Sequence, residues 1–287
     1  MKKILVPVDF SSCANNAFAV AKQMAKQLGA ELITIHIVEP IRSYTAVADG
    51  MYIDAAVEQK YIEYLTNNAQ EHLQKLVNEH KNGVSISTFI EIGNFYQILK
   101  ETIEKHGIDL VVMGTTGATG IDEALVGSNA QKVVRFSACP VLTLKSNHVS
   151  FDLKNIVFAT SLRDDQLEAL AKIQVLQQAF QATLHLLYVN TPSDFMPTRK
   201  ILQLKEELIR KANLTNYQFT IYNEVLEELG ITNFSEDINA DLIAIATHQR
   251  KGIAHLLSGS IAEDVVNHAD KPVLTLVAKH SETEKVK

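Results

Sequence analysis

Cysteine is nearly absent from this chain of 287 residues, which has only Cys13 and Cys139. So few thiols exclude a disulfide framework and point to a reducing compartment. Basic clusters are missing as well. The net charge is −6 and the pI near 5.9. No run of lysine and arginine builds the patch that counterion release on DNA or RNA requires, so nucleic acid is excluded as a partner. Long apolar runs are missing too. No stretch approaches the length of a membrane span, and the opening "MKKILVPVDF" has neither the apolar core nor the cleavage site of a signal peptide. The expectation is a cytoplasmic protein with no membrane partner. Chemical groupings are equally scarce. His248, His255 and His268 lack the pairing with cysteine or carboxylate that a metal site shows. No Ser-His-Asp or Cys-His arrangement stands out, and Ser11, near Asp9, lacks a base. Cys139 precedes Pro140 at a strand start and reads as buried rather than reactive.

What is present is ordinary globular composition, 46% hydrophobic and 21% charged, in a chain long enough for two domains. The chain also contains itself twice. "KKILVPVDFS" resembles "LKNIVFATSL", and "GAELITIHIVEP" resembles "QATLHLLYVNTP". Ile4 and Ile156, Ala30 and Ala182, and Pro40 and Pro192 are each 152 positions apart. Further on, "GIDLVVMGTTG" matches "NADLIAIATHQ", "LVGSNAQKVV" matches "LSGSIAEDVV", and "CPVLTLK" matches "KPVLTLV". There the separation is 132, as between Asp109 and Asp241. Five collinear matches mean a duplication, with twenty extra residues in the first half between Pro40 and Gly107. The halves are assigned as 1–147 and 152–280, divided at the polar stretch Ser146–Asp152. The charged tail "KHSETEKVK" is expected to fray.

Apolar runs predict strands at Lys3–Val8, Glu31–Val38, Val84–Ile90, Asp109–Met113 and Val141–Leu144. Helical spacing predicts helices over Ala14–Leu28, along the stripe Val57, Tyr61, Leu65, Leu73 and Leu76, from about Tyr96 to His106, and over Asn129–Phe136. Short apolar strands alternating with amphipathic helices make an α/β fold. Each of the two homologous domains is then an open five-stranded parallel sheet with helices on both faces.

The stretch "GTTGATGIDEALVGSNAQKV" follows the fourth strand. A dinucleotide fingerprint belongs after the first strand with a different spacing, and a Walker loop needs a lysine that is absent between Gly114 and Gln131. What remains is Gly114-x2-Gly117-x9-Gly127-Ser128, from a strand end to a helix start. Carboxyl ends of parallel strands are where ligands sit, and a helix amino terminus suits phosphate. A glycine-rich surface loop with Ser128 as a helix cap fits equally well. Asp9, at the end of the first strand, can accept hydrogen bonds from a ribose or a base amino group, or cap the helix beginning near Ser12.

"VPVDFS", "MGTTG" and "GSNAQKVVRFSACPVLTLK" together resemble the universal stress protein family in its tandem two-domain form. The resemblance covers essentially the whole chain. It implies the adenine nucleotide alpha hydrolase-like fold and a bound ATP or related adenine nucleotide. By position, Pro7, Asp9 and Ile37 would surround the adenosine. Met113, Gly114 and Gly117 would line the loop, and Gly127, Ser128, Asn129 and Ala130 would hold the phosphates. Family loops often carry a basic residue after the second glycine. Here Ala118 and Thr119 stand there, with Asp122 and Glu123 nearby, so phosphate charge calls for a divalent ion such as Mg2+.

In the second half Ser161 replaces Asp9, Ala246 replaces Gly114 and Gln249 replaces Gly117, while Gly252, Gly259 and Ser260 persist. That half is not expected to hold ATP in the same way. Arg250 and Lys251 read as a solvated basic loop, with a smaller anion at Gly259-Ser260 as the other reading. The segment Ile41–Ala55 is either a lid or a packed connection. The resemblance also implies dimerisation through the last strands, and "VLTLK" and "VLTLV" can pair within one chain as a pseudo-dimer, with or without a further homodimer. The function expected is a stress-response module that binds the nucleotide in its first half and presents the result to a protein partner. Slow ATP hydrolysis or self-phosphorylation, and a ligand-free scaffold, are the alternatives.

Overall fold

A computed structural model describes residues 1–40, 55–79, 83–116, 126–145, 151–248 and 261–278. The segment Ile41–Asp54, most of the glycine loop, residues 146–150, Gln249–Ser260 and the charged tail lie outside the described residues.

The first half runs β1 (Lys3–Pro7), α1 (Ser12–Leu28), β2 (Glu31–Val38), α2 (Ala55–Glu79), β3 (Ile86–Ile92), α3 (Phe95–His106), β4 (Leu110–Gly114), α4 (Ser128–Phe136) and β5 (Val141–Leu144). The second runs β6 (Asn155–Ala159), α5 (Leu167–Phe180), β7 (Thr183–Asn190), α6 (Thr198–Ala212), β8 (Tyr217–Asn223), α7 (Glu227–Asp237), β9 (Leu242–His248), α8 (Ile261–His268) and β10 (Val273–Ala278). Part of the extra length of the first half is helix, since α2 has 25 residues and α6 has 15. The third strand begins two residues later than its apolar run. Its pairing with β2 starts at Leu32 opposite Ile86, and the preceding Gly83 turns the chain at φ +80°.

All ten strands form one sheet in the order β3-β2-β1-β4-β5-β10-β9-β6-β7-β8. Within each half the neighbours are parallel. Both faces are covered, which is why the strands are apolar at consecutive positions rather than alternate ones. Ile4 and Val6 join Phe18, Met24 and Leu73 on the face of α1 and α2. Leu5 joins Leu99, Val111 and Val133 on the opposite face, under α3 and α4. Both cores run on into the second half, through residues such as Leu170 and Val265.

The halves meet where β5 and β10 pair antiparallel, with Leu142 opposite Leu274. These two leucines are equivalent positions of the duplication, so the seam has the self-complementary form of a two-fold dimer interface. The side chains repeat the symmetry. Thr143 donates to the Val273 carbonyl at 3.1 Å, and its equivalent Thr275 donates to the Val141 carbonyl at 3.3 Å. The last strands thus pair inside the chain. The duplication reaches single hydrogen bonds elsewhere. The Asp109 carboxylate accepts from the N–H groups of Lys2 and Lys3, and Asp241 accepts likewise from Lys154 and Asn155.

Candidate functional site

In the order β3-β2-β1-β4-β5, successive connections leave β1 in opposite directions, which opens a crevice beyond the carboxyl ends of β1 and β4. A cavity of about 290 Å³ lies there. β1 contributes Pro7, with Val8 and Asp9 just beyond it, and the β2 side contributes Ile35, Ile37 and Glu39. β4 and its end supply Met113, Gly114, Thr115 and Thr116, and the start of α4 supplies Gly127, Ser128, Asn129 and Ala130. Ala14 of α1 and Phe95 of α3 complete the wall. Nine of the ten residues singled out in the sequence therefore line one space, and Gly117 lies outside the described residues.

The floor is apolar and the rim polar. Ile35 and Met113 are buried, while the Asp9 and Glu39 side chains are exposed. Oδ1 of Asp9 accepts the Ser11 N–H at 3.0 Å, which orients the carboxylate at the strand end. The cap of α1 belongs to Ser11, whose hydroxyl accepts the Ala14 N–H at 3.1 Å. Asp9 is thereby relieved of the capping role, and a carboxylate offers about four acceptor positions, enough for the turn and a ligand together. Glu39 is held by the Phe95 N–H, which donates to Oε1 at 2.8 Å.

At the opposite wall, Gly127 rather than Ser128 occupies the cap position of α4, with no side-chain cap. Its N–H donates to the Thr115 carbonyl at 2.6 Å, closing the two ends of the glycine loop on each other. The amides of Ser128, Asn129 and Ala130 open the helix and have no acceptor within it. They line the crevice with the positive end of the α4 dipole.

Gly114 answers to a neighbour within the fold. A Cβ there would lie 2.6 Å from Cys13 Sγ and 3.0 Å from the Cys13 carbonyl carbon. The sulfur can rotate away, but the backbone of α1 cannot. Gly114→Ala is expected to destabilise the chain by about 1–3 kcal/mol, the usual range for overpacking. A urea melt checks this as a lower midpoint at unchanged slope. Cys13 itself is buried and donates to the Leu144 carbonyl at 3.2 Å. Cys139 is buried too, and burial pushes its thiol above the usual range. Among the described residues no cluster suited to a metal ion occurs. No described helix is long and apolar enough to cross a membrane.

The second half differs at the corresponding strand end. Gln166 stands where the first half has Ala14, and it is 3% exposed. Its Oε1 accepts the Thr160 hydroxyl at 2.7 Å and the Ser161 N–H at 3.1 Å, so its side chain is tied to the turn at the end of β6. Ser161 and Ala246 remove the carboxylate and the bare backbone. Gln249, Gly252, Gly259 and Ser260 lie outside the described residues.

Val8, Ala14, Ile35, Glu39, Phe95, Thr115 and Thr116 line the crevice without having been singled out in the sequence. Ala14 had a visible signal in its alignment with Gln166, and Glu39 in lying one residue past the second strand. Phe95 had none, because it reaches the crevice only through the packing of α3.

The model of the universal stress protein family matches residues 1–145 and 224–276. A universal stress protein of Methanocaldococcus jannaschii is 34% identical over 145 residues, covering 50% of this chain and 82% of that protein. One from Bacillus subtilis is 30% identical over 149 residues, covering 50% of this chain and 98% of that protein. Those relatives have about half this chain's length. Among solved structures, a universal stress protein from Archaeoglobus fulgidus has a TM-score of 0.75 at 19% identity, over 96% of this chain and 98% of its own. At that identity the likeness shows the fold, here across both halves.

Proposed function

This chain belongs to the universal stress protein family, and from that premise we propose that it binds an adenine nucleotide in the crevice between β1 and β4. What carries the reading is the order of chemistry along one cavity. Apolar Ile35, Ile37 and Met113 suit a base, the Asp9 carboxylate suits ribose hydroxyls or an amino group, and the open amides of Ser128, Asn129 and Ala130 suit phosphate. The donor set thus fits ATP or a related adenine nucleotide. Among the described residues the lining holds two carboxylates, Asp9 and Glu39, and no lysine, arginine or histidine. A triphosphate therefore enters with a divalent cation such as Mg2+. The nucleotide acts as a signal: its presence changes the surface around the α4 amino terminus, which a protein partner reads. Division at 1–147 and 152–280 leaves the second half as a structural counterpart.

Calorimetric titration with adenosine and with MgATP tests this. Asp9→Ala is expected to weaken both ligands tenfold or more, the loss of a charged hydrogen bond being worth about 1.5–3 kcal/mol. Gly127→Val is expected to weaken ATP and largely spare adenosine. A Cβ at 127 already lies 3.2 Å from the Thr115 carbonyl oxygen, so a branched side chain displaces the first amides of α4. Unchanged ATP affinity in both variants would sink the assignment, and turnover measured beside binding separates a sensor from a slow hydrolase.

A further inference from the structure

Phe10 takes no part in lining the crevice, yet its backbone sits at φ +63°, a conformation rare for a bulky residue. It stands between Asp9 and Ser11, the cap of α1. Its ring lies against two imidazoles. His36 of β2 stacks on it at 4.7 Å between centroids and 26° between planes, and His72 of α2 lies at 5.0 Å and 44°. His36 Nδ1 is also within 2.7 Å of the Val8 carbonyl oxygen, and Val8 lines the crevice. The chain is therefore tied on both sides of Asp9, at Val8 by the imidazole and at Phe10 by the ring contacts. The Asp9–Ser11 bond then sets the carboxylate itself.

The second half supplies an internal control. Leu162, the equivalent of Phe10, has the same left-handed backbone at φ +59° and is buried. Tyr188 stands in place of His36, and Ser161 in place of Asp9. The turn thus forms with an aliphatic side chain in the position of Phe10. The ring packing accompanies the half that retains a carboxylate to aim.

We propose that Phe10, held against His36 and His72, is a positioning residue for Asp9, fixing its carboxylate toward the nucleoside; this rests on the nucleotide reading above. Ordering by ring contacts lowers the entropy that Asp9 loses when a ligand binds, so the ring strengthens binding without touching the ligand.

The test is a double-mutant cycle read by calorimetric titration of the full chain with adenosine. Phe10→Leu is expected to weaken adenosine about three- to tenfold, and Phe10→Tyr to keep parental affinity. In an Asp9→Asn background, Phe10→Leu is expected to cost less than about twofold, because the group it positions is gone. Phe10→Leu is compatible with the turn, since Leu162 occupies its counterpart. His72→Leu, which removes one ring contact from outside the turn, is expected to show a smaller loss with the same dependence on Asp9. It carries the test if Phe10→Leu lowers stability. Parental affinity in both ring variants, or an equal loss with and without the Asp9 carboxylate, would overturn the positioning role alone. Parental affinity in Asp9→Asn, or no adenosine binding by the unaltered chain, would overturn the Asp9 reading and the proposal with it.

Discussion

Titration of the intact chain with MgATP is expected to give one nucleotide per chain, and Asp9→Ala is expected to weaken that binding about tenfold or more. The two halves share a fold to the level of single hydrogen bonds, so a naive count would be two. Side-chain volume decides otherwise. Ala14 leaves space at the crevice wall, whereas Gln166 fills the equivalent position, buried and bonded to Thr160 and Ser161. Admitting a ligand there would require breaking both bonds and exposing their partners, at about 1–3 kcal/mol for each group left unsatisfied. Loss of the carboxylate at Ser161 adds about 1.5–3 kcal/mol. Together these exceed two decades of affinity. Two equivalent sites, or ATP affinity unchanged by Asp9→Ala, would show that the second half accepts nucleotide by another arrangement.

Chelation of divalent cations is expected to lower ATP affinity at least about tenfold and leave adenosine affinity unchanged. The charges determine the direction. Like unit charges 6–8 Å apart at an effective dielectric of about 20 repel by roughly 2–3 kcal/mol. Asp9 and Glu39 both line the space, and the described lining contains no basic side chain to offset them. The dipole of α4 contributes about 0.3–1 kcal/mol, and up to about 2 kcal/mol in a partly buried setting. One helix end therefore does not outweigh two carboxylates acting on a triphosphate. The measurement is paired calorimetry in Mg2+ and in EDTA, with Glu39→Gln as a second arm expected to reduce the dependence. ATP binding that ignores EDTA would remove the cation from the proposal.

The limits of sequence reading show at particular residues. The order of strands and helices is legible because burial on two faces leaves an apolar run in central strands such as β1 and β4, while helices keep a polar side. The third strand was misplaced by two residues, since its start is set by pairing with Leu32 rather than by its own composition. Ser128 was read as a possible cap, but Gly127 holds that position because its N–H reaches Thr115 across the loop. Asp9, just before α1, reads in the sequence as a cap of that helix, whereas Ser11 holds the cap position. Helix termini are decided by which group a neighbouring segment leaves unpaired, and the sequence does not list neighbours.

By itself, then, the sequence determined the duplication, the alternation of strands and helices, and the strand-loop-helix glycine pattern. These are periodic or local properties written in consecutive residues. Only the tertiary structure decided what each glycine is for and which residues share the crevice. Gly114 is bare because α1 crosses it at Cys13, one hundred and one positions away. Gln166 is buried where the first half has Ala14 because its side chain folds back on its own turn. Phe10 meets His36 and His72 because α2 packs over β2 and β3, beside the end of β1. Close packing makes such contacts specific to within a few tenths of an ångström, and that specificity arises between segments that the chain keeps far apart.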